Sequence, residues 1–141
     1  MVHRVFVFGT LKEGFPNFAT NKGARLPGTF VTKERYPLYL VGERHSPWLV
    51  DQAGEGEHVL GQVFEVDAAT LEAMDRLERV DQADGYRRVQ ITVEAALGDG
   101  APPIEAFAYL KQAAHVDMCE VRLGPLHEYK PEHAALYRPR K

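Results

Sequence analysis

Residues 59–80 read VLGQVFEVDAATLEAMDRLERV. The first eight, Val59 to Val66, form an apolar, β-branched run that predicts a strand, with Gly61 marking an expected bulge. Asp67 then supplies an N-cap. From Ala68 to Val80 the chain is rich in helix formers, with Leu71, Met74 and Leu77 recurring on one face. This is the one strongly helical stretch in the sequence, so the character of its neighbours decides the fold class.

Those neighbours read as strands. Val2 to Phe8 is apolar and rich in β-branched and aromatic residues. Gly28 to Thr32 and Tyr36 to Val41 follow, the second entering at an edge or bulge because proline cannot donate to a ladder. Pro47 to Val50 is short and apolar and runs into the turn-forming Asp51 to Gly56. Beyond the helix, Arg87 to Ala95 alternates, with Val89, Ile91 and Val93 on one face. Gly98 to Pro103 predicts a hairpin loop and Ile104 to Leu110 a central strand. The Pro-punctuated remainder holds at most brief helical turns, at Val116 to Arg122 and Glu132 to Leu136. The pattern predicts an α+β fold, a small mixed or antiparallel β-barrel with one main helix packed beside it. At 141 residues the chain has the length of a single domain, 1–141.

Composition narrows the partners. Hydrophobic residues make up 45% and charged residues 26%, the mixture of a globular protein. A net charge of −3 without a basic run argues against nucleic acid and anionic membranes. The lone Cys119 has no partner for an internal disulfide, which fits a reducing compartment. The apolar start is too short for a signal-peptide core and no segment is long enough to span a bilayer, so the expected location is cytoplasmic. Composition does not indicate an oligomeric state.

Two features carry chemistry. Glu78 lies four residues after Met74 and seven after Leu71, on the stripe that should meet the core. Either it sits at the stripe's edge and reaches solvent, or it faces a pocket whose desolvation raises its pKa above the usual value of about 4.3. Periodicity alone does not choose. The second feature is VFVFGTLK, residues 5–12. A strand that stops at Gly9 can leave the N–H groups of Gly9, Thr10 and Leu11 unpaired, a concavity suited to a carboxylate or to an oxyanion. The other reading is an ordinary turn. The Gly-x4-Gly-Lys-Ser/Thr spacing of a P-loop is absent. His115, Cys119, His127 and His133 match no zinc spacing, so no metal is expected. Cys119 is expected as a buried thiol. Tyr36, Tyr86, Tyr109 and Tyr137 are candidates for the pocket rim or the core, not for catalysis.

Taken in order, these stretches resemble the γ-glutamylcyclotransferase-like family. Phe8-Gly9-Thr10-Leu11, with Phe15-Pro16-Asn17 after it, is similar to the family's Tyr-Gly-Thr/Ser-Leu signature. Gly61-Gln62-Val63-Phe64 is similar to its Gly-x-Val/Leu-Tyr/Phe strand, and Asp75-x-Leu77-Glu78 with Tyr86-Arg87-Arg88 to its catalytic helix and the strand that follows. Tyr36-Pro37-Leu38, Gly42-Glu43, Pro47-Trp48-Leu49, Tyr129 and Leu136-Tyr137-x-Pro139 resemble the family's amine-acting branch.

The resemblance implies a small-molecule γ-glutamyl substrate and no cofactor. The substrate's own α-amine would attack its γ-carbonyl, releasing 5-oxoproline and an amine. It implies Glu78 as the acid/base and Phe8, Gly9, Thr10 and Leu11 as substrate-binding residues, largely through backbone. Phe8 stands where the family usually has tyrosine, and the loop Val80 to Gly85 is longer than in close relatives. Two other readings stay open: a cyclotransferase acting on γ-glutamyl amino acids or another γ-glutamylated metabolite, and a non-catalytic module that binds a small acid.

Overall fold

The computed structural model describes residues 2–98 and 100–139. Strand β1, His3–Val7, is built from residues that favour a pleated, two-sided burial. It pairs antiparallel along its whole length with β6, Leu60–Val66, from His3 opposite Val66 to Val7 opposite Gln62. On its other side it runs parallel to β8, Ile104–Leu110, with Val5 opposite Phe107. Strand β7, Arg87–Ala95, joins β8 through seven antiparallel pairs. Strand β3, Phe30–Thr32, bridges β7 to β6. The ring β1–β8–β7–β3–β6 thus closes on itself as a five-stranded barrel. The short β2, Ala24–Arg25, is an extra strand on β6.

A second sheet lies beside the barrel. It holds β4, Leu38–Val41, between β5, Ser46–Leu49, and β9, Val121–Leu123. Local signals mark β4 and β5 but not β9, a three-residue strand whose pairing with Leu40 and Val41 is purely tertiary.

Alternation along β1 divides the core. Phe6 and Phe8 belong to the cluster that fills the barrel, with Val63, Val93, Ala108 and Tyr129. Val5 and Val7 belong to the cluster beneath helix α1, Ala68–Leu77, with Phe64, Leu71 and Met74. The helix opens as its sequence predicts, with the Asp67 carboxylate accepting from the Thr70 N–H at 2.8 Å, a cap worth about 1 kcal/mol. A short 3₁₀ turn, Phe18–Thr20, packs against the same helix, and Phe18 stacks on Phe64. The last element, α2, spans Pro131–Ala134. No helix among the described residues is long and apolar enough to cross a membrane.

Several expectations change. Helix α1 stops at Leu77, three residues before the predicted end. Arg79 N–H reaches the Arg76 carbonyl and Val80 N–H the Asp75 carbonyl, a Schellman closure with Arg79 in the left-handed region at φ 56°. Gly61 is no bulge, because its pairing with Phe30 keeps the regular register. A Cβ there would sit 2.5 Å from the Val7 carbonyl oxygen and 2.6 Å from the Phe6 ring, so glycine permits the close approach of β1 and β6. Cys119 is exposed on a single 3₁₀ turn, Met118–Glu120, instead of buried. The predicted loop 98–103 joins β7 to β8 as expected, although Asp99 within it lies outside the described residues.

Replacing Gly61 by alanine overpacks the β1–β6 seam. Gly61→Ala is expected to lose about 1–3 kcal/mol of unfolding free energy in denaturant titration. A loss no larger than that of a surface substitution would show that the seam yields.

Candidate active site

At the end of β1 the chain leaves the barrel wall and enters a chain of tight turns. The Lys12 N–H bonds the Gly9 carbonyl at 3.1 Å and the Asn17 N–H bonds the Thr10 carbonyl at 2.8 Å. The Asn21 side chain bonds the Leu11 carbonyl at 3.1 Å. The carbonyls of this segment are therefore consumed, while the N–H groups of Gly9, Thr10 and Leu11 donate to no group among the described residues. A Cβ on Gly9 would lie 2.9 Å from Pro47 Cγ, so a larger residue could not pass β5 at this point. The Thr10 hydroxyl accepts from Asn17 Nδ2 at 2.8 Å, which places its side chain in the frame of the loop.

Lys12 anchors the loop from behind. Its side chain is only 4% exposed; the ammonium donates to the Tyr129 carbonyl and stands 4.2 Å over the Phe15 ring. Burial pulls its pKa down to about 8, with Glu128 opposing that shift and Arg25 adding to it.

Glu78 takes the C-cap position of α1, half-buried, its own N–H on the Met74 carbonyl at 2.9 Å. Two polar struts hold this helix end. On one side the Asp75 carboxylate accepts from Tyr109 Oη at 2.7 Å and from Arg88 Nη1 at 2.6 Å. The Tyr109 hydroxyl's pKa is pushed up by burial, by that hydrogen bond and by the charges of Asp75 and Glu78. On the other side the Tyr86 N–H bonds the Glu78 carbonyl at 3.0 Å. Tyr86 Oη donates to the Pro47 carbonyl at 2.9 Å.

Glu78 and residues Phe8–Leu11 line one cleft of about 810 Å³, the size range of small-molecule sites. The sequence-predicted residues are therefore brought together. Phe8 lines the cleft while also belonging to the cluster that fills the barrel.

The family model for gamma-glutamyl cyclotransferase, AIG2-like proteins matches residues 5–131. The chain belongs to this family of enzymes. A gamma-glutamylaminecyclotransferase of Mus musculus is 31% identical over 150 residues, covering 100% of this chain and 99% of that one. Gamma-glutamylaminecyclotransferase B of Danio rerio is 38% identical over 113 residues, 76% of this chain, although the match spans only 58% of that relative's length. The crystal structure of an AIG2-like protein from Mus musculus superposes with a TM-score of 0.83 at 30% identity, covering 99% of this chain and 97% of that one.

The cleft contains more than the sequence indicated. Tyr109, which lines it, donates to Asp75 of α1. Lys111 follows directly on β8 and carries no local signal, yet it is 6% exposed and lines the cleft. Arg44 and Tyr137 form the far wall. Arg44 Nη2 meets Tyr137 Oη at 3.1 Å, and Asn17 Nδ2 lies 3.3 Å from the same hydroxyl. Tyr86, Tyr109 and Tyr137 line the cleft, whereas Tyr36 packs in the core. Among the described residues no three His, Cys, Asp or Glu side chains gather as metal ligands.

The Lys12 shift has a definite sign. Below about pH 8 the ammonium is charged in both folded and unfolded chains, and its burial cost is fully present. Between about 8 and the ordinary lysine value of 10.5 only the unfolded chain remains protonated, so stability rises with pH. Unfolding free energies of wild type and Lys12→Met should therefore diverge across that window, the wild type gaining relative to the variant. Parallel curves would place the Lys12 charge in water.

Proposed function

We propose that this chain is a γ-glutamylamine cyclotransferase, with Glu78 as the proton carrier and the N–H groups of Gly9, Thr10 and Leu11 as the anion cradle. The observation that carries this reading is their convergence on one cleft: a carboxylate at the helix end and a row of undirected backbone donors at the end of β1. The relatives named for γ-glutamylamine substrates favour an amine as the leaving group.

The reaction is intramolecular. The α-amine of the γ-glutamyl group attacks its γ-carbonyl carbon, forming the C–N bond of a five-membered lactam. The old amide C–N bond then breaks, and the products are 5-oxoproline and a free amine. Nucleophile and electrophile share one molecule, so much of the entropic cost of meeting is already met. Two proton movements remain. The attacking amine gives up a proton and the leaving nitrogen takes one. One carboxylate within reach of both nitrogens can accept the first and deliver the second. The cradle's N–H groups either hold the substrate α-carboxylate or stabilise the tetrahedral oxyanion. The balance needs no water and no further reactant. A compact zwitterionic dipeptide such as γ-glutamyl-ε-lysine suits the volume of the cleft.

Incubation with γ-glutamyl-ε-lysine should yield 5-oxoproline and lysine in equal amounts, and turnover should exceed that on γ-glutamyl-α-amino acids. Preference for the latter would move the chain to the amino-acid branch. Binding without turnover of any γ-glutamyl compound would make it a small-acid binding module. Glu78→Gln is expected to keep the fold and to lose on the order of 10²–10⁴-fold in kcat; near-native kcat would remove Glu78 from the mechanism. Thr10→Ala should be mild in substrate affinity, because the hydroxyl is turned towards Asn17 and the main chain makes the contact.

A further inference from the structure

The carboxylate at position 78 is useful only if it stands at a fixed distance from the cradle, yet the two belong to elements far apart in sequence. One side chain connects them. Tyr86 begins where the loop after α1 ends, and its N–H closes that loop on the Glu78 carbonyl at 3.0 Å. Its hydroxyl reaches across to the Pro47 carbonyl at 2.9 Å. Pro47 is the residue against which Gly9 packs, with no room for a Cβ between them. A continuous path of short contacts therefore runs from Glu78 through Tyr86 and Pro47 to Gly9.

The path is locked from the side. Lys111 is fixed at its backbone, its N–H on the Leu49 carbonyl and its carbonyl on the Asp51 N–H, both at 2.8 Å. Its ammonium stands 4.6 Å from the Tyr86 ring centroid and 4.4 Å from that of Trp48. It also donates to the Asp84 carbonyl, in the loop that Tyr86 closes. Two aromatic faces and a carbonyl dipole all favour the cation, and these interactions strengthen where water is excluded. The Tyr86 ring thus has one packing position, from which its hydroxyl meets Pro47.

We propose that Tyr86, clamped by Lys111 and Trp48, is the positioning residue that sets the Glu78 carboxylate opposite the Gly9–Leu11 donors. The inference rests on the reaction proposed above. Tyr86 touches no reacting atom in this scheme; it acts through Glu78. Removing the hydroxyl leaves the ring and the clamp in place but cuts the link to β5.

The test is Tyr86→Phe, alone and combined with Glu78→Gln, assayed for 5-oxoproline release. The single variant should keep its melting temperature and its KM, because the cradle is intact, while kcat falls by up to about 10²-fold, the cost of a misplaced catalytic group. In the Glu78→Gln background the same change should cost nothing further, because the group it positions is gone. Lys111→Met, which frees the ring without touching the hydroxyl, should reproduce the kcat loss and guards against a fold defect peculiar to one variant. An unchanged kcat in both variants, or a loss that adds in full to that of Glu78→Gln, overturns the proposal. Amide hydrogen exchange at Tyr86 gives a reading independent of turnover: exchange faster in Tyr86→Phe than in wild type supports the strut, and equal exchange overturns it. If the wild-type chain releases no 5-oxoproline from any γ-glutamyl amide, the proposed reaction has failed, and the exchange measurement still judges the strut.

Discussion

The structure depends on β1 being paired on both edges. Five residues, His3–Val7, close the barrel by binding β6 antiparallel and β8 parallel. Having no free edge, the strand is held in a fixed register until its partners end. Where they do, Gly9 slips past Pro47 and the next carbonyls turn inward to bond Lys12, Asn17 and Asn21. The N–H groups of Gly9, Thr10 and Leu11 donate to no group among the described residues, and these three residues line the cleft. The proposed anion cradle is thus a consequence of barrel closure followed by a run of tight turns. Lys12, on the same loop, faces the Tyr129 carbonyl.

The opposite wall follows from the way α1 ends. Its buried residues, Thr70, Leu71 and Met74, fix the helix on the cluster shared with Val5 and Val7. The odd-numbered side of β1 therefore carries the helix, and the end of β1 carries the loop. The Schellman closure with Arg79 in the left-handed region is held in place by tertiary bonds on both flanks, Asp75 to Tyr109 and Arg88, and Glu78 to Tyr86. Arg79, a residue with a side chain where glycine is usual, holds this left-handed conformation directly after Glu78.

Much of this was legible in the sequence because it is written in local patterns. The alternation of Arg87 to Ala95, the apolar run at Ile104 to Leu110 and the Asp67 cap each carry their own signal, and each became the element it predicted. Glu78 on the apolar stripe was visible as an anomaly, although its two readings needed coordinates to compare. What escaped depends on contacts between distant segments. The bond from Tyr109 to Asp75 joins residues 34 apart in the chain. Gly61 reads as a bulge until the Phe6 ring is seen against it. Lys111 has no periodic neighbour to mark it, and its burial comes from Trp48 and Tyr86, which lie far from it in sequence. The early end of α1 belongs with these, because helix propensity favours Arg79 and it is the Schellman closure that stops the helix before it.

In the proposed reading the backbone at the end of β1 receives an anionic group of a γ-glutamyl compound, carboxylate or oxyanion, across from Glu78. Titration of the 15N-labelled chain with 5-oxoproline, followed by amide chemical shifts, tests it most directly. The account predicts saturable shifts largest at Gly9, Thr10 and Leu11, with the residues around Glu78 responding alongside them. Saturable binding that leaves these three amides unmoved while shifting another face of the barrel would contradict it.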